Sequence, residues 1–410
     1  MSDRSNTSFN SSDLIAGVDT HAETHTLAIL TATGGVVFTD TFPADAHGYG
    51  QVVEVLKAAG NVVAVGVEGT DSYGAGLTRV LIGSGFIVKE VLRPTRQIRR
   101  MRGKSDSIDA VEAARAVLSG VGISDAKDTT SPAESLRFLL AARGQLVATM
   151  TALANSITSL LVTSPEALRS RYRALSRTAL IMRLSTTRPS GDPAAPITTA
   201  AAALRQLAQA HRDAAERATR LEAQMRQILH AHYPAVLAIY GAGAIVAAQL
   251  VVTAGGNPGR IRNEAAFAAL CGASPIPASS GKTTRHRLNR GGDRRGNAAL
   301  HRIALVRIRH DQRTRDYLTR RTAEGKSKKE ILRCLKRAIA REVFRVLINP
   351  NSRSDTHTVD LRALRQSRGL TLTAVANAIA TWPSRISDIE HHRRPLPDLT
   401  KRYQEWLTTT

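Results

Sequence analysis

Four acidic residues stand where their carboxylates can be gathered. Asp19 closes an apolar run that begins at Leu14, and Glu68 follows a second run, 62–67, unbroken but for Gly66. Carboxyl ends of neighbouring strands in an open α/β sheet meet along one edge, where ligands bind. Lys104-Ser105-Asp106-Ser107-Ile108-Asp109-Ala110 then opens a helix, and residues three apart share one helix face. Four unpaired acids at one spot repel, and a divalent pair would relieve them. Mg²⁺ takes oxygen ligands, and two ions ~4 Å apart stabilise the attacking and leaving oxygens of a phosphodiester. The same residues also suit a plainer arrangement. Asp19 and Glu68 would then be turn acids, and Asp106 and Asp109 would simply enrich a helix N-terminus.

The elements that must position these acids are short. Runs 14–19, 25–31 and 36–42 read as three strands joined by tight turns, and 62–67 as a strand buried on both faces. Helices at about 48–59 and 75–82 and a strand at 86–92 complete the order βββαβα(β)α before the helix carrying Asp106. That is a mixed α/β sheet in the order of the ribonuclease H-like fold. Ser131-Pro132-Ala133-Glu134 is a capping box with Pro at N1. Beyond it Leu136, Leu139, Arg143, Leu146, Met150, Leu153, Ile157 and Leu160 alternate at three and four, with only Arg143 breaking the apolar seam. The stretch 163–199 is Ser/Thr/Pro/Arg-rich and loses periodicity, so it reads as a loop or a weakly structured insertion. The seam resumes at Leu204, Leu207, His211, Ala214, Ala218, Leu221, Met225 and Ile228. Two heptad helices around a loop predict an antiparallel hairpin or an intermolecular coiled coil, with ordinary core helices as the alternative. A compact helical region follows from Gly241 to about Ile348.

Charge bounds the partners. The chain has 57 Lys+Arg against 34 Asp+Glu, net +23. Residues 1–125 carry 11 basic and 14 acidic side chains, whereas 126–410 carry 46 and 20; within 260–345 alone there are 23 against 7. A polyanion-binding body follows a mildly acidic head, and without an amphipathic or lipidation signal the polyanion is nucleic acid rather than membrane. Two cysteines, Cys271 and Cys334, build neither a disulfide framework nor a zinc ribbon. The longest apolar run, around 245–254, is too short to span a bilayer, and residues 1–13 lack the apolar core of a signal peptide. A reducing cytoplasm and association with the nucleoid are expected.

GVDTHAETHTLAIL around Asp19, GVEGTDSYG around Glu68 and KSDSIDA around Asp106 and Asp109 resemble the DEDD transposases of bacterial insertion sequences, the group numbered one hundred and ten. YGAGAIVAAQLV, AAFAALCGASPIPASSGK and GNAALHRIAL are similar to that family's C-terminal transposase domain, so the resemblance covers roughly 14–348. It implies a RuvC-like domain holding Mg²⁺, two ions, through Asp19, Glu68, Asp106 and Asp109. It further implies a serine nucleophile on DNA, which in Pro277-Ala278-Ser279-Ser280-Gly281 is Ser280, with Ser279 beside it as the alternative register. By itself a Ser-Ser-Gly loop is an ordinary flexible turn. The family is also similar in using a structured element-encoded RNA to choose donor and target DNA. Arg285, Arg287, Arg290, Arg294 and Arg295, interleaved with glycines, suit bidentate phosphate contacts or a solvated basic loop. Lys326–Arg345 reads as a basic helix along the nucleic-acid backbone; His286 and His301 offer general acids, though each reads better as a phosphate contact or a bystander.

Past Asn349 the chain departs from that pattern. The segments 361–365, 369–376 and 383–390 look like a phage-repressor-type helix-turn-helix packed through Leu361, Leu364, Leu372, Val375, Ile379, Ile386 and Ile389. Ser384, Arg385, Ser387 and Asp388 would then face the major groove. His391 stands where that family often has Gly, which leaves a packing module as the alternative.

The expected organisation is a leader (1–13), a ribonuclease H/RuvC-like domain (14–125), coiled-coil helices (131–233), a mainly α transposase domain (234–348), a linker (349–358) and a small all-α helix-turn-helix domain (359–410). The expected function is a Mg²⁺-dependent recombinase acting on double-stranded DNA as a homodimer or tetramer, guided by a structured RNA. The alternatives are a transcriptional regulator with an inert nuclease fold and a metal-only Holliday-junction-type resolvase.

Overall fold

The computed structural model describes residues 10–91, 105–277, 286–287, 289, 291–349, 361–390 and 396–409. The chain divides into two compact units, Met1–Phe138 with Ala254–Arg262, and Leu139–Thr253 with Asn263–Thr410.

In the first unit, β1 (Leu14–Thr20), β2 (Thr24–Thr31), β3 (Val36–Pro43), α1 (Ala46–Ala59), β4 (Val62–Glu68), α2 (Ala75–Gly83), β5 (Val88–Val91), α3 (Asp106–Ser119) and β6 (Ile123–Asp125) follow in order. The sheet runs β3-β2-β1-β4-β5-β6, with β1, β4 and β5 mutually parallel and the other pairings antiparallel. This is the mixed sheet expected from the order of apolar runs. β6 has only three residues, too few for an alternation signal, and was not foreseen.

Period-two alternation decides what each face meets. Ala16, Val18, Leu27, Ile29, Val65 and Val67 form one core with Val52 and Leu56 of α1 and Leu77 and Leu81 of α2. Ile15, Ala28, Leu30 and Ala64 form another with Ala110, Ala113, Ala114 and Val117 of α3. On that second face the strands carry glycine where α3 crosses. A Cβ on Gly17 would overlap the Ala114 nitrogen and Ala110 oxygen, and one on Gly66 would lie 2.6 Å from Val117 Cγ2 and 2.8 Å from the Ala113 oxygen. The helix backbone therefore lies directly on the strands.

The stretch Ala254–Arg262 packs with this unit rather than with the basic region around it in sequence. Asn257 donates to the Ala126 carbonyl at 2.9 Å and accepts from the Asp128 N–H at 2.9 Å.

α4 (Pro132–Thr163) and α7 (Pro196–His232) are the two long seam helices. Arg143, the break in the seam, reaches Glu222 at 3.4 Å. Ala154, Ile157 and Leu161 share a core with Leu204 and Ala208, so the pair is antiparallel within one chain. The expected loop at 163–199 is overturned. It contains α5 (Glu166–Tyr172) and α6 (Arg177–Ser185), whose Leu168, Tyr172, Leu180, Ile181 and Leu184 fill the same core. Helices of seven and nine residues are shorter than the window over which periodicity registers. By length and composition α4 is the one helix among the described residues long and apolar enough to cross a bilayer. A search for unbroken apolar runs passes over it.

The basic region is helical, with α8 (Pro234–Leu237), α9 (Ala244–Ala254), α10 (Glu264–Leu270), α11 (Arg294–His310), α12 (Gln312–Ala323) and α13 (Lys328–Ile348). β7 (Ile276–Pro277) and β8 (His286–Arg287) form a small antiparallel ladder between α10 and α11. The C-terminal helices α14 (Leu361–Ser367), α15 (Leu372–Ala378), α16 (Pro383–Glu390) and α17 (Pro397–Thr409) close around Leu361, Val375, Ile379, Ile386, Ile389, Tyr403 and Leu407. In that core Glu390 accepts from Arg365 Nε at 2.6 Å and from the Tyr403 hydroxyl at 2.7 Å.

Candidate metal centre

Alternation carries the acids to the face that α3 covers. Residues 15 and 17 of β1 and 64 and 66 of β4 look toward α3, so the next same-face positions are Asp19, one residue before the end of β1, and Glu68, the last residue of β4. β1 and β4 pair through Val18 and Val67, and the Thr20 hydroxyl donates to the Glu68 carbonyl at 2.8 Å, tying the two strand ends together. Ser105 caps α3 by accepting from the Ile108 N–H, which sets Asp106 and Asp109 in the first turn. The glycine contacts of α3 with β1 and β4 hold that turn over the strand ends.

The structure gathers Asp19, Asp106 and a third residue, His21. Their ligand atoms lie within 4.8 Å of one another. His21 Nε2 is 3.1 Å from Asp19 Oδ2 and 3.4 Å from Asp106 Oδ1. Asp109 and Glu68 are outside this triplet, but Asp109 is close enough to act on Asp19 electrostatically. Asp19 and Glu68 are buried, Asp109 is half-buried and Asp106 is exposed. Burial pushes the Asp19 carboxyl above its ordinary value, and Asp109 and Asp106 push the same way against the pull of His21. A desolvated acid among like charges is unfavourable alone and favourable around a cation, and carboxylate oxygens with one imidazole suit a hard or borderline divalent ion. The donor set fits a metal.

His21 is not among the residues singled out from the sequence; it lies two residues beyond Asp19 and so continues the same alternation, but its partner Asp106 comes from another element.

Ser279, Ser280, Arg285 and Arg290 lie outside the described residues. The β7–β8 ladder pairs Ile276 with Arg287 and so brackets the serine segment in sequence. Arg287 is exposed, as are Arg294 and Arg295 in the first turn of α11, which Asp293 caps by accepting from the Arg295 N–H. His301 is half-buried on α11. In the C-terminal helices Ser384 and Arg385 are exposed on α16, and Ser387 and Asp388 are half-buried. Trp382, just before α16, is 75% exposed in a unit whose other large apolar side chains are mostly covered, and it too went unnoticed in the sequence.

Residues 16–164 match the family described as a DEDD transposase of the IS110 type. Residues 233–319 match the transposase IS116/IS110/IS902 family, and the two stretches together take in more than half of the chain. The chain is also 33% identical, over 98 residues, to the "Insertion element IS900 uncharacterized 42 kDa protein" of Mycobacterium paratuberculosis. That alignment spans 24% of this chain and 25% of the relative's length.

Proposed function

Because the chain belongs to the IS110-type transposase family, we propose that it cuts and rejoins DNA for a mobile element. The observation that carries this reading is the meeting of the Asp19 and Asp106 carboxylates at His21, on the helix-covered end of the sheet and inside the matched region. Asp19, Glu68, Asp106 and Asp109 would hold Mg²⁺, two ions in the full reading. When bound, the metal supplies positive charge to the phosphate under attack.

The chain's own residues do the rest. Ser280 Oγ forms a new ester to phosphorus, the deoxyribose oxygen leaves and takes up a proton from water, and the serine proton passes to solvent. The phosphoserine ester conserves the bond, so an incoming strand end displaces serine without ATP. Arg287, Arg294 and Arg295, with Arg285 and Arg290, grip flanking phosphates as forks. A structured RNA is the proposed guide, and two or more copies of the chain are proposed to act together because exchange joins two duplexes. The helices α15 and α16 are proposed as a helix-turn-helix that reads the major groove through Ser384, Arg385 and Ser387. Their support is the pair of short helices across a tight turn and the exposure of Ser384 and Arg385.

The test is strand exchange on supercoiled plasmids carrying the element ends, with and without element RNA and Mg²⁺. Alanine at Asp19, Glu68, Asp106 or Asp109 should each abolish exchange while leaving nucleic-acid binding intact. Near-native exchange in any two of these variants overturns the metal assignment. Ser280→Ala should lose the covalent protein–DNA adduct and Ser279→Ala should keep it. Junction nicking that survives Ser280→Ala would mean a metal-only resolvase, and binding without any exchange a regulator.

A further inference from the structure

Helix α13 turns Ile331, Ile339, Ala340, Val343 and Leu347 into the core of the basic region, and with them one lysine. Lys336 is 8% exposed. Its Nζ donates to Asn297 Oδ1 at 3.0 Å. The Asn297 amide has no freedom to turn, because its Nδ2 already donates to the carbonyls of Cys271 at 2.7 Å and Gly272 at 3.1 Å. Its oxygen is thereby aimed at the ammonium.

An ammonium carries three N–H donors, and this bond uses one. No carboxylate pairs with Lys336 among the described residues. Burial, and then the like charge of Arg333, hold its pKa below the ordinary lysine value. A buried cation with one neutral partner among the described residues is an unfavourable arrangement unless an anion completes it.

The place of this lysine is specific. Gly272 and Gly292 both adopt left-handed backbone conformations, at φ 59° and 82°. They also touch, since a Cβ on Gly292 would lie 2.7 Å from the Gly272 nitrogen, and the Asp293 N–H donates to the Leu270 carbonyl at 2.6 Å. The two ends of segment 273–291 are pinched together there, and Asn297 binds one of them directly.

We propose that Lys336, positioned by Asn297, is a binding site for a backbone phosphate of a DNA strand laid across the neck of segment 273–291. Lysine is a compact point charge suited to a non-bridging phosphate oxygen. The surroundings suit a polyanion, because residues 260–345 carry 23 basic and 7 acidic side chains. The choice of DNA over RNA rests on the transposase reading, which brings reactive DNA to the serine within that segment.

The experiment uses the full-length protein in EDTA, so that metal chemistry plays no part. Fluorescence anisotropy follows a labelled DNA duplex and, separately, an RNA hairpin across a salt series, and a thermal melt follows each variant. Lys336→Met is expected to melt no lower than wild type while binding duplex about tenfold more weakly at fixed salt, with a salt slope shallower by about one. Lys336→Arg should keep the slope. Amine labelling of wild-type protein, read by mass spectrometry, should slow at Lys336 when duplex is bound. A lower melting temperature with an unchanged slope would make Lys336 a structural strut and overturn the site, as would unchanged labelling. A slope lost on RNA alone would overturn the DNA assignment. Asp19→Ala run alongside should bind with the wild-type slope, so failure of the metal reading appears in the exchange assay and failure of this site appears here.

Discussion

An ionised Asp19 works against the metal-free fold. Burial raises its carboxyl pKa, and the Asp109 and Asp106 charges add to that rise. A carboxyl whose folded pKa lies above its unfolded one stabilises the fold while protonated. That contribution is fully present below the ordinary carboxylate range and is lost as pH rises through the folded value. At neutral pH, therefore, Asp19→Asn is expected to raise the melting temperature in EDTA by roughly 2–4 °C for ~1 kcal/mol relieved. It should also abolish the stabilisation that Mg²⁺ or Mn²⁺ is expected to give wild type. Calorimetry with and without metal reads both effects, and a lower melting temperature in EDTA would count against the assignment. Ala380, in the turn between α15 and α16, is under local backbone strain. It is a non-glycine at φ 49°, a left-handed conformation that costs an L-residue roughly 1–2 kcal/mol. Ala380→Gly loses part of that gain to a freer unfolded chain, so a net stabilisation of about 0.5–1 kcal/mol is expected from denaturant unfolding of the C-terminal helices.

At the scale of elements, the proposed metal centre would depend on how closely α3 approaches β1 and β4. Gly17→Ala would force a Cβ into the Ala114 and Ala110 backbone, where no side chain can swing aside. The expected cost is about 1–3 kcal/mol of stability together with a drop in divalent-metal affinity, measured by melting and by calorimetric titration. Unchanged affinity would show that the acids do not depend on the seat of α3. In the C-terminal helices, burial pushes the Glu390 carboxyl up, but hydrogen bonds from Arg365 and Tyr403 outweigh it and leave the pKa below its ordinary value. The stability this contributes is present above the ordinary carboxylate range and is lost as pH falls through the depressed value. Glu390→Gln should cost ~3–5 kcal/mol by stranding Arg365, and near-ultraviolet circular dichroism during acid titration should show these helices melting earlier than in wild type. The elements behind both predictions were legible to different degrees. Apolar runs gave β1, β2 and β4, and the KSDSIDA cap signal gave the start of α3. The meaning of Gly17 and Gly66 was hidden, because a glycine in a strand does not say what crosses it. Helices α5 and α6 were hidden by a Ser/Thr/Pro-rich composition, since Leu168, Leu180 and Leu184 become a core only beside Ile157 and Leu204. His21 has the right alternation, but a lone histidine after a strand carries no chemical signal until Asp106 arrives from another element.

Over the whole molecule, the acidic and basic residues are unevenly distributed along the chain. The acidic head of residues 1–125 holds the four carboxylates proposed to bind metal, and the net-basic remainder holds the cations proposed to meet nucleic acid. Residues 359–410 carry 8 basic and 5 acidic side chains, a small share of the basic excess. Among the described residues Arg365 is bound to Glu390, Arg402 donates to the Ile379 carbonyl at 2.5 Å, and Lys401 lies 3.9 Å from Glu405. Arg385 and Lys401 are exposed, and Arg393 and Arg394 lie outside the described residues. If α15 and α16 read DNA, removing 359–410 should lessen the salt dependence of duplex binding only modestly, by roughly 2–4 in slope at about one phosphate per released cation. The larger change should be lost preference for one DNA sequence over another, because phosphate contacts position the protein while base contacts specify. Metal-dependent exchange on element ends supplied at saturating concentration should survive, since every residue of the acidic centre remains. The measurement is a pair of salt titrations, full-length against truncated protein, on the element-end duplex and on a scrambled duplex of equal length. Equal slopes and equal preference would make the C-terminal helices a packing module, and loss of exchange at saturation would make them part of the recombining machinery.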